Sequence, residues 1–364
     1  MSFLQAAAQW IRARISSDDV ERYVAQKTVP VRGISVKHYL GGAILFLLGV
    51  QVITGILLSM HYVPTVEGAF RSVELLVTQV EYGWFIRSLH KWTSNLLVLF
   101  VLLHLATVFW SGAYRAPREL TWISGLALFA AVLAVCFFGY LLPWNDLSFS
   151  ATSIGIEVMK KIPLLGNALV NILQGGQEFS PRLLTVFYIF HILLLPLILA
   201  AIALFHVYLI QVQGMHEPEL RNPKSGKGVR PVRFFPDFLK RVLVFWVFLL
   251  NAAVLLALFF PPELGEQADR FAQTPAGIKP EWYFLFLYQT LKIMPARILF
   301  LDGEMVAIGL AFFGALYLAA LPFLGGPAAA SKRDRLVRAG ALLIFLYVLV
   351  MGIWGHLSHS VGLN

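Results

Sequence analysis

The chain of 364 residues is 58% hydrophobic and only 13% charged, whereas soluble domains carry about 25% charged residues. This balance excludes a soluble globular domain and predicts an integral membrane protein. The single cysteine, Cys136, excludes an intrachain disulfide, a c-type haem attachment motif and an iron–sulfur cluster within this sequence. The net charge of +9 is explained by a basic cytoplasmic face in contact with lipid, so it does not require nucleic acid as a partner.

Seven apolar stretches are long enough to cross about 30 Å of hydrocarbon. Within about three residues at each end, they cover 38–61, 84–110, 120–142, 183–211, 241–260, 304–324 and 336–356. The shorter aromatic stretch 281–292 suits a re-entrant or interfacial segment. The sequence therefore predicts an all-α integral membrane protein with seven transmembrane helices.

Composition divides the chain into four parts. Residues 1–36 are predicted to be a cytoplasmic amphipathic lead-in rather than a signal peptide, because no apolar core precedes a small-residue cleavage site. Residues 37–211 form a four-span bundle, 212–240 a polar cytoplasmic linker, and 241–364 a three-span half. Lys and Arg are concentrated on the side that holds the N-terminus. The N-terminus is therefore expected in the cytoplasm and the C-terminus in the periplasm.

Two of the spans each carry a pair of histidines. His90 and His104 are fourteen residues apart on the second span, and His191 and His206 are fifteen apart on the fourth. On a helix these steps give rises of about 21 and 22 Å and angular offsets of about 40° and 60°. Because both spans run in the same direction, His90 meets His191 at one depth and His104 meets His206 at the other. This pattern predicts two bis-histidine haems, with unrelated histidines or a transporter's proton relay as alternatives.

Glycines repeat this spacing on the other two spans of the bundle. Gly41 and Gly55 lie on the first span and Gly125 and Gly139 on the third, fourteen residues apart in each case. A porphyrin inside a four-helix bundle needs backbone close to its edge, and glycine removes the side chain that would obstruct it. Close helix packing is the alternative. Arg87, at the outer edge of the second span, is a candidate partner for a haem propionate or an ordinary interfacial arginine.

Two aromatic segments lie on the outer side, near the expected outer haem. In the stretch IKPEWYFLFLYQTLK, Glu281 is a lone acid, and a carboxylate in an apolar pocket accepts a proton near neutral pH. The stretch GYLLPWNDLSFS follows the third span. Together they suggest an apolar slot for a quinol ring, whose oxidation releases two protons and two electrons; an interfacial aromatic belt is the alternative. The other candidate lining residues are Trp282, Tyr283, Tyr140, Pro143, Trp144 and Asp146.

As a set, these residues resemble cytochrome b of the quinol–cytochrome c oxidoreductases, the bc and bf complexes, over nearly the whole chain. The most specific parts are PEWY at Pro280–Tyr283, GYLLPW at Gly139–Trp144, and the paired histidines and glycines. The resemblance implies that quinol is oxidised at the outer face, with Glu281, Tyr283 and Tyr140 as catalytic residues. One electron passes to a Rieske iron–sulfur protein, and the other crosses the membrane through two non-covalent b-type haems to quinone. Glu281 would carry a proton outward, contributing to proton translocation.

Details favour a bacterial fused form that resembles the chloroplast-style bf branch. The fifteen-residue step on the fourth span and the seven-span count are typical of that branch, although here its two usual chains are one. Tyr39 stands where that branch has a cysteine that holds an extra haem, so no covalent haem is expected. Ile210 and Arg241 stand where the mitochondrial-style branch has a histidine and an aspartate for inner-side quinone binding. Val186 replaces an arginine that meets a haem propionate, and Arg182 lies one turn away.

The resemblance also implies partners and a location. The expected partners are a Rieske protein, a c-type cytochrome subunit, quinone and lipid, in a homodimeric complex of the bacterial cytoplasmic (inner) membrane. Two other functions stay open: a di-haem anchor that relays electrons between a dehydrogenase and the quinone pool, and a non-redox transporter with histidine proton relays. The anchor explains the histidines but not PEWY, and a spectrum without a b-type band would favour the transporter.

Overall fold

A computed structural model describes residues 5–6, 9–10, 27–29, 36–174, 182–216, 232–269, 278–325 and 331–358. Within these ranges, seven helices are long and apolar enough to cross a membrane. This confirms the all-α, seven-span architecture predicted from the sequence, and the protein is a multi-pass membrane protein. Most of the predicted lead-in and of the predicted linker lies outside the described residues.

The described spans and surface helices follow one another along the chain. The helices are α1 (Leu40–Ser59), α2 (Ala69–Thr78), α3 (Gly83–Ser111), α4 (Glu119–Tyr140), α5 (Asp146–Lys160), α6 (Gly166–Gln174), α7 (Arg182–Gln213), α8 (Leu239–Phe259), α9 (Leu285–Ile293), α10 (Gly303–Leu324) and α11 (Lys332–Leu357). Two short antiparallel ribbons pair β1 (Thr28–Val29) with β2 (Val232–Arg233) and β3 (Arg297–Ile298) with β4 (Leu301–Asp302). The spans are α1, α3, α4, α7, α8, α10 and α11, and a π turn at Phe234–Phe238 extends α8.

Polar side chains cap several helices where they meet the membrane surface. Asn145 begins α5 with a capping box, in which its side chain accepts from the Ser148 amide. Asp302 begins α10 by accepting from two backbone amides, and Ser331 begins α11 by accepting from the Asp334 amide. These caps satisfy amides that have no partner in the first helical turn, so the sequence fixes where these helices start.

The first four spans form one bundle. Helix α1 packs against α3, and α4 packs against α7. Their inward side chains build an apolar cluster that includes Leu47, Leu97, Val132 and Leu199. All four residues fall between the outer and inner histidine levels of their neighbouring helices. The core of the bundle is therefore an apolar layer that separates two polar levels.

The second half packs on the bundle through α8 and α10. The Trp122 indole on α4 donates to the Leu318 carbonyl on α10 at 2.6 Å. Arg115, after α3, forms an ion pair of 2.8 Å with Asp334 on α11, whose side chain is only 2% exposed. A buried carboxylate is tolerated only when it is paired. This ion pair therefore fixes the second half against the first.

The predicted short segment 281–292 does not cross the membrane. It forms a 3-10 turn at Trp282–Phe284 that leads into the nine-residue helix α9. Helix α9 packs against α11, where Thr290 and Tyr347 share a hydrogen bond of 2.8 Å. The turn that precedes α9 therefore contacts the four-helix bundle instead of being buried in the second half.

Candidate functional site

The histidine pair that the sequence predicts on the outer side, called the outer pair, joins two spans. His90 on α3 and His191 on α7 face each other with ring centroids 6.3 Å apart and ring planes inclined by 77°. A histidine–metal bond is about 2 Å long, so one metal atom fits between the two rings. The helices thus bring together the two residues that the sequence placed at the same depth.

The inner histidine pair is built from the same two helices. His104 and His206 lie close enough to interact electrostatically. His104 Nδ1 is buried and has no hydrogen-bond partner among the described residues, which is unusual for a buried ring nitrogen. No group of three or more His, Cys, Asp or Glu side chains that could hold a metal ion occurs in the described ranges. Two histidines on facing helices are the protein ligands that a bis-histidine haem needs.

Each of the four predicted glycines lies against one imidazole. A Cβ on Gly139 would overlap the His191 ring, whose Nδ1 would be 2.7 Å away. For the other three, the distances from an added Cβ to the nearest imidazole carbon are 3.4 Å for Gly55 and His90, 3.4 Å for Gly125 and His206, and 3.8 Å for Gly41 and His104. Only at Gly139 would a Cβ displace the imidazole, whereas at the other three positions it would lie in ordinary van der Waals contact with the ring, so the glycines let the helix backbones lie close to the histidines.

Two hydroxyl groups orient histidines, and sequence reasoning missed both. Thr54 Oγ1 donates to the Val50 carbonyl at 2.7 Å and lies 2.8 Å from His90 Nδ1. Because the hydroxyl proton is already used, the oxygen accepts from His90 Nδ1–H. The lone pair of the ring is then on Nε2, which is the arrangement a metal ligand needs.

Ser124 and a backbone carbonyl act in the same way on α7. Ser124 Oγ donates to the Thr121 carbonyl at 3.0 Å and lies 2.8 Å from His206 Nδ1. His191 Nδ1 lies 2.9 Å from the Val135 carbonyl, which can only accept. Each hydroxyl residue directly precedes a predicted glycine, so the dipeptides Thr-Gly in α1 and Ser-Gly in α4 were a readable signal.

A π turn at Phe190–Leu194 contains His191. The Leu195 amide donates to the Phe190 carbonyl five residues back, because Pro196 has no N–H and its ring disturbs the regular pattern. The turn holds one residue more than an α-helical turn. The fifteen-residue step to His206 therefore behaves as a fourteen-residue step, and its offset becomes about 40°, as on α3, instead of the expected 60°.

Glu281 meets a basic residue that the sequence reading did not assign to the site. Lys91 Nζ donates to Glu281 Oε1, and the same ammonium lies 5.3 Å from the centroid of the Tyr140 ring. The Glu281 side chain is 18% exposed. The expectation of an acid isolated in an apolar slot therefore changes, because the carboxylate shares its pocket with a cation supplied by α3.

Trp282 forms a hydrogen bond with α3, one turn after Lys91. Its indole Nε1 donates to Asn95 Oδ1 at 2.8 Å, while Asn95 Nδ2 donates to the Lys91 carbonyl at 3.0 Å. Lys91 and Asn95 are four residues apart, so they lie on one face of α3. This face fixes Glu281 and Trp282 together, and Asn95 is a second residue that sequence reasoning missed.

Tyr283 points toward α4. It packs in the apolar core of the bundle and forms a hydrogen bond with the Cys136 thiol. Burial raises the pKa of Tyr283 far above its usual range, so the phenol stays protonated and keeps a hydrogen to donate. Phe284 contacts Phe137 with ring centroids 6.3 Å apart. The segment after Pro280 therefore lies between α3 and α4, beside the outer histidine pair.

Asp146 and Pro143 belong to a turn that joins two outer loops. Asp146 Oδ1 accepts from the Asp269 amide at 3.2 Å, and the Asp146 amide donates to the Glu266 carbonyl at 3.1 Å. Trp144, which follows Pro143, is 1% exposed. These contacts give Asp146 a structural part in the outer surface, in addition to the predicted place near the pocket.

Arg87 is occupied by a loop of the second half. Its guanidinium donates to the Pro262 carbonyl at 2.7 Å and to the Glu263 carbonyl at 3.2 Å. Arg87 thus holds α3 against the loop after α8.

On the opposite surface, Arg241 lines an open recess of about 500 Å³. The recess is also lined by Val232, Arg233, Asp237 and Lys240. Three of the five lining residues are basic, so the region around Arg241, predicted as the inner quinone site, carries positive charge.

Comparisons with known proteins agree along the chain. The family model "Cytochrome b/b6/petB" matches residues 24–214, and "Cytochrome b(C-terminal)/b6/petD" matches 267–361. The cytochrome b subunit of a cytochrome bc complex from Chlorobaculum thiosulfatiphilum is 35% identical over 346 residues, covering 95% of this chain and 79% of that protein. Cytochrome b6 of Heliobacterium mobile is 37% identical over 57% of this chain and 99% of its own length. A chain of a hyperthermophilic respiratory Complex III matches with a TM-score of 0.84 at 25% identity, covering 96% of this chain and 91% of that one.

The fold and the two histidine levels define a class, namely multi-pass helical membrane proteins that hold prosthetic groups between facing spans. Within that class the chain belongs to the cytochrome b family, with the b6-like part and the C-terminal part in one polypeptide. The resemblance inferred from the sequence is thereby confirmed. Membership implies that the protein binds b-type haem.

Proposed function

We propose that the chain is the di-haem b subunit of a bc-type quinol–cytochrome c oxidoreductase. The observation that carries the proposal is the contact between the two candidate sites. Lys91, which pairs with Glu281, directly follows His90 in α3. A quinol bound beside Glu281 would therefore lie close to the outer histidine pair, as quinol oxidation with electron transfer into the membrane requires.

Four imidazoles would hold the haems. His90 and His191 would ligate the outer one and His104 and His206 the inner one, with no covalent attachment, and Gly41, Gly55, Gly125 and Gly139 leave room for the rings. The haems, when bound, supply one-electron carriers at two depths of the membrane. Thr54 and Ser124 keep the ligating nitrogens free by accepting from the opposite ring nitrogens.

The chemistry of quinol oxidation would fall on the segment from Pro280 to Tyr283. The Glu281 carboxylate would accept the proton, since the Lys91 ammonium that pairs with it also lies against the Tyr140 ring, near which the quinol would bind. The Tyr283 phenol keeps its proton because burial raises its pKa, so it can donate a hydrogen bond to a quinol oxygen in place of the Cys136 sulfur. Trp282 and Pro143 would complete the apolar walls of the pocket.

The remaining assignments follow from the same proposal. One electron from quinol would go to a Rieske iron–sulfur protein and then to a c-type cytochrome, and the other to quinone on the inner side, with net proton translocation. The complex would be a homodimer in contact with lipid in the bacterial inner membrane, with the N-terminus cytoplasmic and the C-terminus periplasmic. The relative from Chlorobaculum thiosulfatiphilum, a cytochrome b subunit of a cytochrome bc complex, supports the place of this chain in a complex of that type.

The proposal is tested on the purified complex by quinol-driven reduction of its c-type cytochrome. We expect a b-type reduced-minus-oxidised band and turnover that quinol analogues at the outer site inhibit. The variant Glu281→Gln should keep the b-type band and lose most of the turnover, because the amide cannot accept the proton. Full turnover in Glu281→Gln would remove this residue from its role, and the absence of any b-type band would overturn the whole proposal.

A further inference from the structure

The Lys91–Glu281 ion pair is partly enclosed by protein. The Lys91 side chain is 40% exposed and that of Glu281 18%, and the Tyr140 ring covers one side of the ammonium. Partly enclosed charges are screened less by water and salt than fully exposed charges. A change in the charge of Glu281 therefore changes the electrostatic potential at neighbouring groups that it does not contact.

The ion pair flanks the outer histidine pair. Lys91 directly follows His90 in α3, and Tyr140 directly follows Gly139, which lies against the opposite histidine ring. While Glu281 is ionised, its charge cancels that of Lys91. Once Glu281 takes up a proton, the ammonium is left without a compensating charge beside the candidate haem site.

We propose that Lys91 is a positioning residue that couples proton uptake at Glu281 to the reduction potential of the outer haem. A positive charge near a haem favours the reduced state. As a quinol O–H bond breaks and the Glu281 O–H bond forms, the uncompensated Lys91 makes the outer haem a better acceptor for the electron that the quinol releases. The other electron and the second quinol proton go to the Rieske protein, whose cluster has histidine ligands, so this inference rests on the proposed function.

The other titratable groups around Glu281 carry no charge at neutral pH in their ordinary forms. They are Tyr140 and Cys136 on α4 and Tyr283 on the same segment. Arg87, on α3, is engaged with the loop after α8. Among the described residues, Lys91 is the one cation in an ion pair with Glu281. The change in charge at this place therefore comes from Glu281 itself.

The test is a redox titration of the outer haem in the purified complex between about pH 5.5 and about pH 9, a range that includes neutrality. In the wild type we expect the midpoint potential to rise as the pH falls. Glu281→Gln should shift the potential upward and lose that component of the pH dependence. Lys91→Met should shift it downward at every pH, because one positive charge is removed, whereas Lys91→Arg should follow the wild type.

Glu157→Gln is the matched control, because Glu157 is an exposed outer-side carboxylate that pairs with Lys160 on α5. Its potential should follow the wild type. Identical curves for the wild type, Glu281→Gln and Lys91→Met would overturn the inference, and normal quinol turnover would then leave the proposed function standing. Absence of the haem from every variant and from the wild type would overturn both.

Discussion

At the scale of single residues, the site depends on hydrogen bonds that orient groups rather than on the ligands alone. Thr54 fixes the His90 ring through Nδ1 and leaves Nε2 free, and Asn95 fixes Trp282. Neither residue would be found from a search for metal-binding or acid–base side chains. Both act by removing freedom from a neighbour, which is how preorganised sites reach their geometry.

Replacing Thr54 with valine should weaken binding of the outer haem. Valine has the shape of threonine but cannot accept from His90 Nδ1–H, and loss of such a partner typically costs about 10–100-fold in affinity at a metal site. Retention of haem during dilution or detergent washing measures the effect. Thr78→Val is the control, since that exposed hydroxyl bonds only to its own helix. Equal retention in both variants would contradict the role given to Thr54.

Replacing Asn95 with leucine should slow quinol oxidation while leaving the haem spectrum intact. The variant breaks the bond to the Trp282 indole, and a net loss of about 1.4 kcal/mol corresponds to a tenfold slower rate if it is felt in the transition state. Steady-state turnover together with the spectrum separates the two effects. Asn251→Leu, at an exposed position on α8, should behave as the wild type. Loss of haem in Asn95→Leu would show that the residue supports the bundle instead.

At the scale of elements, the four helices of the bundle supply different parts of the site. Helices α3 and α7 carry the histidines, and α1 and α4 supply the glycines and hydroxyls that receive them. The spacing of these residues predicted the pairing of helices, because fourteen-residue steps on neighbouring helices bring equal levels together. The π turn in α7 could not be predicted from the spacing alone. Its signal was Pro196, five residues after His191, which removes one backbone donor.

Adding a methyl group to Gly139 should remove the outer haem. The new Cβ would collide with the His191 ring, which the Val135 carbonyl already holds in place, so the ring cannot move without losing that bond. A redox titration that resolves two b-type components in the wild type should show only one in Gly139→Ala. Gly49→Ala should keep both, because no atom lies within 4 Å of a Cβ there. Two unchanged components in Gly139→Ala would contradict this reading of the glycines.

At the scale of the whole molecule, the chain joins two halves. The covalent linker does not account for their contact, since the buried pair of Arg115 and Asp334 and the Trp122 hydrogen bond hold α10 and α11 against the bundle. This contact is needed for function as proposed, because Glu281 comes from the second half and Lys91 from the first.

Neutralising Asp334 should destabilise the protein strongly. Asp334→Asn leaves the largely buried Arg115 without a counter-charge, and breaking a buried pair in this way costs about 3–5 kcal/mol. A clear fall in Tm of the purified protein is expected. Glu304→Gln is the control, because that exposed carboxylate makes only a surface contact with Lys161, worth about 0–1 kcal/mol. Equal Tm values for the two variants would contradict the role of the buried pair.

Much of this molecule could be predicted from the sequence for physical reasons. Long apolar runs have few alternatives to membrane helices, and histidines within them must find partners. The contacts between distant segments could not be predicted, because Lys91 reads as an interfacial lysine until Glu281 is brought to it from the second half. The hydrogen bonds between Asp146 and the loop after α8 could not be predicted for the same reason.

The central claim is that four histidines hold two non-covalent b-type haems at two depths. Quantifying haem per polypeptide by pyridine haemochrome in the purified protein tests it most directly, with acid-acetone extraction to establish that the haem is not covalently bound. We predict two extractable b-type haems per chain in the wild type, and the loss of haem when any one of His90, His104, His191 or His206 is replaced by alanine. A wild-type protein with no haem, with a single haem, or with haem that remains on the polypeptide after extraction would contradict the claim.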